Sequence, residues 1–320
     1  MKETNDQPQT LQEAVIYFSD LDRCVELMAQ VRWPNGIECP YCQSREVGFI
    51  ATRRLWRCKN KECKREFTLK VGTVMEDSPI GLDKWLSAMW LIVNAKNGVS
   101  SYEIHRAIGV TQKSAWFLLH RIRLAMQQGT FNKLGGNVEV DETFIGGKAR
   151  FMHVAQRKRR ITGTGGKDKV AVMGILERGG EVRAMTVTSR KKGELQEQVR
   201  RHVEAGSALY SDELRSYSGL ASDYAHKVIN HAVQYVDGQV HTNGIENFWS
   251  LLKRCIKGTY VSIEPFHLFR YLDEETFRFN NRKMTDAQRF VVALRAIVGK
   301  RLTYKAAIGL DSQPVIEATV

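Results

Sequence analysis

The segment from Val138 to Lys148, VEVDETFIGGK, constrains the fold more than any other stretch of the chain. The apolar residues Val138, Val140 and Phe144 alternate with polar ones, which is typical of a β-strand. Asp141 lies in the middle of this run. A carboxylate buried in an apolar strand is unfavourable unless another group compensates its charge, and a divalent cation is one such group. The segment therefore predicts the central strand of a metal-dependent catalytic site.

The length and composition are those of a folded protein with several parts. The 320 residues, of which 43% are hydrophobic, are enough for two or three compact units. No apolar run approaches the roughly 20 residues that span a bilayer. The polar amino terminus lacks the apolar segment of a signal peptide. We therefore expect a cytoplasmic protein that has no membrane partner.

The charge balance points to a polyanionic partner. The formal net charge is +13 and the isoelectric point is near 9.5, which is unusual for an ordinary metabolic enzyme. No basic amphipathic helix with a strong apolar face stands out, so a nucleic acid fits better than a membrane surface. We expect the partner to be double-stranded DNA.

Four of the six cysteines are concentrated between residues 39 and 63. Cys39 and Cys42 form one pair, in CPYC, and Cys58 and Cys63 form the second, in RCKNKEC. Paired cysteines on two tight turns are typical ligands of a tetrahedral zinc ion, and clustered cysteines in a reducing compartment favour metal over disulfides. We therefore predict a zinc ribbon over residues 35–76, with basic residues that face either DNA phosphate or solvent.

Helical periodicity precedes and follows this ribbon. Residues 1–34 contain two short amphipathic helices, interrupted near Asp20, and residues 80–130 read as helical throughout. Within the second region, a turn at Gly109 between two helices is the helix-turn-helix pattern. The positions expected to point outward toward DNA are Gln112, Lys113, Trp116 and Arg123. An ordinary helical hairpin without DNA contacts is the alternative.

After residue 136 the pattern changes to strands, in the order β-β-β-α-β-(α)-β-α. This order predicts a ribonuclease H-like α/β domain with a mixed five-stranded sheet. Asp141 on the first strand and Asp212 at the end of the fourth would then lie on neighbouring strands, and Glu246 on the last helix would supply a third acid. Two simpler interpretations stay open, because Asp212 can cap a following helix and Glu246 can form a capping box with Asn243.

Three convergent carboxylates predict a pair of divalent cations. Two ions can bind both the attacking and the leaving oxygen in phosphodiester cleavage, and hard oxygen ligands suit Mg²⁺ or Mn²⁺. Lys253 lies two helical turns beyond Glu246 and is expected to orient a DNA phosphate. Glu139 and Glu142 flank Asp141 in sequence, and we expect both on the opposite face of the strand, in contact with solvent.

A basic segment separates the first two strands of this domain. Residues 151–169 contain four consecutive cations beside several glycines, namely Arg157, Lys158, Arg159 and Arg160. This composition predicts a mobile loop that closes on DNA phosphate. A solvated loop without a specific role is the alternative.

The motifs resemble those of bacterial insertion-sequence transposases of the DDE class, in the family that places a zinc ribbon before the catalytic domain. The resemblance covers about residues 15–290 and depends on CPYC with its second cysteine pair, VEVDETFIGGK, HTNGIENFWSLLKRCIKGTY and FHLFRYLDEETFRFNNR. It implies that residues 136–290 form a ribonuclease H-like domain that cuts transposon ends and joins the 3′ hydroxyl to target DNA. Residues 291–320 would form a carboxyl-terminal helix and tail.

The same resemblance implies roles for particular residues. The family's three acids and the basic residue that follows them correspond to Asp141, Asp212, Glu246 and Lys253. Some relatives carry asparagine at the third acidic position, which would be Asn243 here. Arg278 and Arg282 resemble family positions that could hold the DNA end. The family further implies terminal inverted repeats and target DNA as partners, a homo-oligomer that synapses two ends, and association with the bacterial nucleoid.

Two other functions remain compatible with the sequence. One is a DNA-binding regulator with an inactive ribonuclease H-like domain, although the presence of all three acids argues against it. The other is a structure-selective nuclease that has the same metal site and no joining step.

Overall fold

The computed structural model describes residues 7–127, 132–147, 152–161, 168–229 and 241–310. Contacts between residues divide the chain into two compact units. The first unit comprises residues 1–127 and 283–320, and the second comprises residues 128–282. Within the described residues, no helix is both long enough and apolar enough to cross a membrane.

Two short helices open the first unit, α1 (Leu11–Phe18) and α2 (Leu21–Arg32). The Thr10 hydroxyl accepts from the backbone N–H of Glu13, whose side chain accepts from the backbone of Thr10 in return. Asp20 caps α2 with its carboxylate. The interruption predicted near Asp20 is therefore present, and its cause is this cap.

A small antiparallel sheet follows, with β1 (Val47–Ile50), β2 (Leu55–Cys58) and β3 (Glu66–Phe67) side by side. The ring of Trp56 in the central strand lies 5.7 Å from the ring of Trp33, measured between centroids. A module of this size buries little apolar surface by itself. We therefore expect this aromatic contact and a bound metal to contribute most of its stability.

The other helices of the first unit are α3 (Leu82–Asn94), α4 (Ser101–Ile108), α5 (Gln112–Met126), α10 (Asp286–Arg295) and α11 (Tyr304–Ala307). Gly109 joins α4 to α5 with a φ of 61°, a left-handed conformation that glycine adopts without a Cβ clash. Ser100 caps α4 and Thr111 caps α5. The helix, glycine turn and helix of the predicted pattern are all present.

The core of the first unit includes a segment from late in the chain. The ring of Phe290 in α10 lies 5.4 Å from that of Phe18 and 5.3 Å from that of Trp90. All three side chains are buried. Residues 283–310 thus fold with the first unit, whereas the sequence pattern assigns residues up to 290 to the sheet domain and residues 291–320 to a helix and tail. The apolar face of α10 decides this, because it packs against α1 and α3. Residues 311–320 lie outside the described residues.

The second unit is built on a mixed sheet of five described strands, β4 (Asn137–Ile145), β5 (Val170–Glu177), β6 (Val182–Val187), β7 (Ala208–Asp212) and β8 (Ala225–Ile229). They lie in the order β6-β5-β4-β7-β8. Pairing is antiparallel from β4 to β6 through β5, and parallel from β4 to β8 through β7. This is the sheet of a ribonuclease H-like domain, so the predicted fold class is confirmed.

Helices cover both faces of this sheet. One face packs on α7 (Lys192–His202), and the other packs on α8 (Asn243–Cys255) and α9 (Leu268–Asn280). The segment between β4 and β5 contains α6 (Val154–Arg160). Shorter helical turns lie at Ala51–Arg53, Arg215–Tyr217, Leu220–Ser222, Ile256–Tyr260 and Pro265–His267.

The side chains of β4 alternate between these two faces. Val138 and Val140 belong to the core beneath α7, and Ile145 belongs to the core beneath α8 and α9. Because successive side chains of a strand point to opposite faces, Asp141 faces α8 and Glu142 faces α7. The two adjacent acids therefore have different surroundings.

Candidate active site and zinc centre

The four cysteines of the predicted ribbon come together in the first unit. The Sγ atoms of Cys39, Cys42, Cys58 and Cys63 all lie within 4.8 Å of one another. Cys39 and Cys63 are separated by 3.7 Å, and Cys42 and Cys58 by 3.6 Å. Tetrahedral zinc with Zn–S distances of about 2.3 Å places its sulfur ligands about 3.8 Å apart. The predicted four-cysteine metal cluster is confirmed, and its geometry fits zinc.

Asp141 lies half-buried on the α8 face of β4. Burial raises the pKa of its carboxyl to about 6, and the negative charges of Asp212 and Glu246 contribute in the same direction. Hydrogen bonds from the Glu142 backbone and the Trp249 side chain oppose the shift. The carboxylate is therefore unfavourably placed unless a cation or a proton neutralises it.

Asp212 ends β7, the parallel neighbour of β4. The register pairs Glu139 with Tyr210, so Asp141 and Asp212 each lie two residues further along their strands. Oδ1 of Asp212 accepts from the backbone N–H of Leu214 at 3.0 Å. The Asp212 side chain thus organises the turn that leaves the strand, and it remains within electrostatic reach of Asp141.

Glu246 lies in the first turn of α8 and is half-buried. The hydroxyl of Thr242 donates to its Oε1 at 3.0 Å. Thr242 also occupies the position before the helix, so the alternative capping box, with Asn243 as the cap, is not formed. Asn243 is the first residue of the helix and is exposed, one turn before Glu246.

Lys253 lies on α8, two turns beyond Glu246, as predicted. Burial lowers the pKa of its ammonium group, and the negative charge of Asp141 opposes that shift. The acids and this lysine are therefore neighbours.

Among the described residues, however, only the four cysteines bring three or more ligand atoms within 4.8 Å of one another. The acids interact through their charges at longer range, and their catalytic role stays a prediction.

Trp249 contacts Asp141 directly, and the sequence pattern indicates only that its ring is buried. Its Nε1 donates to Oδ2 of Asp141 at 3.0 Å. The indole lies over Gly174, the residue of β5 that pairs with Asp141. A Cβ at Gly174 would lie 2.6 Å from the ring, so only glycine leaves room for this contact. A tryptophan three residues after the candidate acid Glu246 is the available signal in the sequence.

Glu142 lies on the opposite face from Asp141, as expected, but it is half-buried and not solvated. Burial raises the pKa of its carboxyl to about 8, and Asp212 and Asp141 add to the shift, while Arg190 opposes it. The hydroxyl of Tyr217 donates to its Oε1. Glu142 is thus a fourth acid at this edge of the sheet.

Our expectation that Glu139 is solvated on the opposite face from Asp141 is wrong. Glu139 is fully buried on the same face as Asp141. It accepts from Nε of Arg178 at 2.7 Å and from the backbone N–H of Ile245 at 2.9 Å. Two residues along a strand return to the same face, so the error is one of periodicity. Glu139 holds the start of α8 against β4.

The predicted DNA-contacting residues of α5 separate into two groups. Lys113 is exposed, and Gln112 is half-buried with its amide bonded to the hydroxyl of Ser101. Arg123 is only 1% exposed. The expectation that Arg123 faces outward is therefore wrong, because the last turns of α5 are buried in the helical core of the unit. Trp116 is half-buried, with its ring 4.2 Å from that of His120.

The basic segment after β4 is partly helical rather than a loop. Arg157, Lys158 and Arg159 are exposed on α6. The side chain of Arg160 and residues 162–167 lie outside the described residues. Three of the four consecutive cations, Arg157, Lys158 and Arg159, are therefore described and accessible to DNA phosphate.

The two arginines near the end of the second unit differ in exposure. Arg278 is 8% exposed and forms ion pairs with Glu274 and Glu275. The expectation that Arg278 holds the DNA end is therefore wrong, because its charge is used inside the protein. Arg282 is exposed, and its guanidinium lies 4.1 Å from the ring centroid of Phe279.

Comparison with known proteins identifies both the sheet domain and the ribbon. Residues 133–280 match a family described as ISXO2-like transposase domain, and residues 20–66 match one described as transposase zinc-ribbon domain. An uncharacterized protein in transposable element ISH50 of Halobacterium salinarum is 29% identical over 245 residues, which are 73% of this chain and 82% of that protein. An uncharacterized transposase-like protein of Haemophilus influenzae is 36% identical over 87 residues, 27% of this chain and 70% of that protein.

Together with these matches, the ribonuclease H-like sheet that follows a four-cysteine ribbon identifies an insertion-sequence transposase, a class of enzymes that bind and process DNA. Within that class, the chain belongs to the IS1595 family of transposases with an amino-terminal zinc ribbon.

Proposed function

We propose that this transposase cleaves DNA at the ends of its element and joins the 3′ hydroxyl to target DNA, with Asp141, Asp212 and Glu246 as catalytic acids. The observation that supports this most is the strand register, which places Asp141 and Asp212 at matching positions on the parallel neighbours β4 and β7. Burial and the charges of Asp212 and Glu246 also raise the pKa of Asp141 to about 6. Strongly perturbed acids concentrate at functional sites, and structural ion pairs do not account for this one. We therefore place the proposed catalytic site at the carboxyl-terminal ends of β4 and β7.

Magnesium or manganese fits this set of side chains. The three acids offer carboxylate oxygens, which are the hard ligands that these ions prefer. Asp141 and Asp212 would hold the ions from the sheet, and Glu246 would do so from α8. When bound, two such ions stabilise the attacking and leaving oxygens of a phosphodiester.

The protein's own groups orient the acids and the DNA. Trp249 fixes the carboxylate of Asp141 through Oδ2. Lys253 places a half-buried positive charge beside Asp141 and would bind a DNA phosphate. Water attacks in the cleavage step and a DNA 3′ hydroxyl attacks in the joining step, so no covalent link between protein and DNA is required.

The exposed cations of both units would bind the rest of the DNA. Lys113 at the start of α5 and Arg282 after α9 are accessible to phosphate, and Gln112 is accessible to a base edge once its bond to Ser101 opens. Arg157, Lys158 and Arg159 are accessible on α6. We propose that these contacts hold the terminal inverted repeats and the target, with two or more copies of the chain synapsing the ends.

The test is strand transfer by the zinc-loaded chain with Mg²⁺, on a duplex that carries the terminal repeat read from the DNA flanking the gene. Asp141→Asn is expected to abolish cleavage and joining while DNA binding is retained. Asp223→Asn is the matched control, because Asp223 is a partly exposed acid of the same unit, paired with Arg200. Joining by Asp141→Asn at the parental rate would refute the proposal, and cleavage without joining by the parent would indicate a nuclease.

The identity of the third acid can be tested in the same assay. Glu246→Gln and Asn243→Ala change side chains one turn apart on α8. If Glu246 is the third acid, only the first substitution removes activity. The opposite result would assign the position to Asn243.

A further inference from the structure

A short basic segment connects β6 to α7, and none of the sequence motifs assigns it a function. Arg190 and Lys191 end this connection, Lys192 is the first residue of α7, and all three are exposed. The strand register locates the segment. Val187 at the end of β6 pairs with Ala171, which pairs with Phe144 of β4. The segment therefore leaves the sheet at the carboxyl-terminal ends of β4 and β7, where the candidate acids lie.

The backbone of this segment is held in place on both sides. The carboxylate of Glu194 accepts from the backbone N–H groups of Thr188 at 2.7 Å and Ser189 at 2.9 Å, and from both of their hydroxyls at 2.8 Å. The hydroxyl of Ser216 donates to the carbonyl oxygen of Arg190 at 2.6 Å. The cations are thus presented by an ordered backbone, which reduces the entropy cost of binding a ligand.

The side chain of Arg190 is directed toward the acidic edge. Its guanidinium carbon lies 4.7 Å from the ring centroid of Phe144, and its charge acts on Glu142. The ring fixes the guanidinium by a cation–π contact. Among the ion pairs that the structure describes in this unit, none involves Arg190, Lys191 or Lys192. Their charges are available to an external anion.

Cations also lie on the other face of the sheet. Lys253 stands beside Asp141, and the charges of Lys169 and Lys257 act on it. The acidic edge is thus bordered by Lys253 on the α8 side and by Arg190 on the α7 side. The ionised acids at this end of the sheet repel an approaching polyanion, and cations on both faces reduce that repulsion.

We propose that Arg190, Lys191 and Lys192 bind the phosphate backbone of DNA beside the candidate catalytic acids, on the face of the sheet opposite Lys253. The proposal rests on the proposed function, since it requires DNA at this edge. Contacts of this kind position the duplex and carry no sequence information. Arg190, held against Phe144, would bind the DNA phosphate nearest the acids. The two lysines would bind neighbouring phosphates along the same DNA strand.

The test measures binding of the zinc-loaded chain to a fluorescent terminal-repeat duplex and to a scrambled duplex, over a series of NaCl concentrations and without added Mg²⁺ or Mn²⁺. In Arg190→Gln/Lys191→Gln/Lys192→Gln, the slope of log K against log[NaCl] is expected to fall by about 0.9 for each DNA phosphate that the variant no longer binds. The weakening should be equal on the two duplexes. Arg190→Lys keeps the charge and should keep the slope.

Arg201→Gln is the matched control, because Arg201 is an exposed arginine at the other end of α7. It should leave the slope unchanged, and circular dichroism should show all variants folded. If the single variant Arg190→Gln and the triple variant both retain the parental slope, the proposal is overturned. That result would not affect Asp141, whereas strand transfer by Asp141→Asn would refute the active site without altering these slopes.

Discussion

Nε1 of Trp249 donates a hydrogen bond of 3.0 Å to Oδ2 of Asp141. The bond joins α8 to β4 at the candidate acid itself, and Gly174 makes room for the ring. Four residues before Trp249, the backbone N–H of Ile245 donates to Glu139, two residues before Asp141. Helix and strand are therefore tied at two successive points on one face. The position of Glu246 relative to Asp141 depends on both ties.

Trp249→Phe should reduce strand transfer while the chain stays folded. The phenyl ring keeps most of the packing over Gly174, but it cannot donate to Asp141. Removal of a hydrogen bond that orients a metal ligand typically lowers metal affinity or activity by roughly 10- to 100-fold. The measurement is the strand-transfer rate over a Mg²⁺ titration, with Phe248→Leu as the control because it perturbs the same core without touching Asp141. Equal effects of the two substitutions would contradict an orienting role.

Glu139→Ala should destabilise the second unit strongly. It leaves Arg178, which is 17% exposed, without the carboxylate that neutralises it. Removing one partner of a buried ion pair typically costs about 3–5 kcal/mol. Urea unfolding of the zinc-loaded chain would measure the difference. Glu181→Ala, at an exposed glutamate, should change the free energy of unfolding by no more than about 0.5 kcal/mol. Similar values for the two variants would disprove the role of Glu139 in holding α8 against β4.

Gly174→Ala should lower the free energy of unfolding by about 1–3 kcal/mol, the usual range for overpacking. The new methyl group would lie 2.6 Å from the Trp249 ring and 2.7 Å from Ile245. Gly193→Ala in α7 is the matched control, because a Cβ there would meet no atom of another part of the chain within 4 Å. Gly193 is the second residue of the helix, and its replacement by alanine should instead stabilise the chain by about 0.4–1 kcal/mol by reducing the conformational freedom of the unfolded state. Thermal and urea unfolding would reveal the opposite signs.

His202 should make the second unit less stable in acid. Burial lowers the pKa of its imidazole from 6.5 to about 4, and the positive charges of Arg183, Arg201 and Lys133 add to the shift. The unfolded chain then binds the proton more readily than the folded chain. The contribution of His202 is therefore complete above pH 6.5 and is lost as the pH falls toward 4.

The free energy of unfolding, measured from about pH 7.5 to about pH 4.5, should fall less steeply in His202→Gln than in the parent. His153→Gln, at an exposed position, serves as the control and should follow the parental slope. All three proteins retain the four cysteines, so release of zinc in acid affects them alike. Parallel curves for the parent and His202→Gln would contradict the assigned protonation.

The cysteine cluster and the order of the strands are predictable because their signals are local. The spacing of Cys39 and Cys42 is a property of one turn, and the alternation around Asp141 is a property of one strand. The parallel pairing of β4 with β7 follows from the order of elements in a known sheet. That pairing brings Asp212 toward Asp141.

Errors arise where a charged residue finds its partner only in the folded chain. The sequence predicts Glu139 in solvent, but Arg178 and the start of α8 lie against it. It predicts Arg278 on DNA, but Arg278 pairs with two acids one turn away on a face of α9 that is buried. The sequence also predicts Arg123 on the protein surface, but it is buried. Which face of α5 packs against other helices is decided only in the folded chain.

The amino-acid sequence by itself determined the four cysteines of the metal cluster, the order of the strands in the sheet and the family that the chain resembles, since these depend on spacing and periodicity over a few residues. Only the tertiary structure decided which charges are buried and which remain available. It paired Glu139 with Arg178 and left Arg190 exposed beside Glu142. Burial and electrostatic contact depend on distances in space. Glu139 and Arg178 are separated by 39 positions in the chain, and Glu142 and Arg190 by 48, so each pair comes together only when the sheet forms.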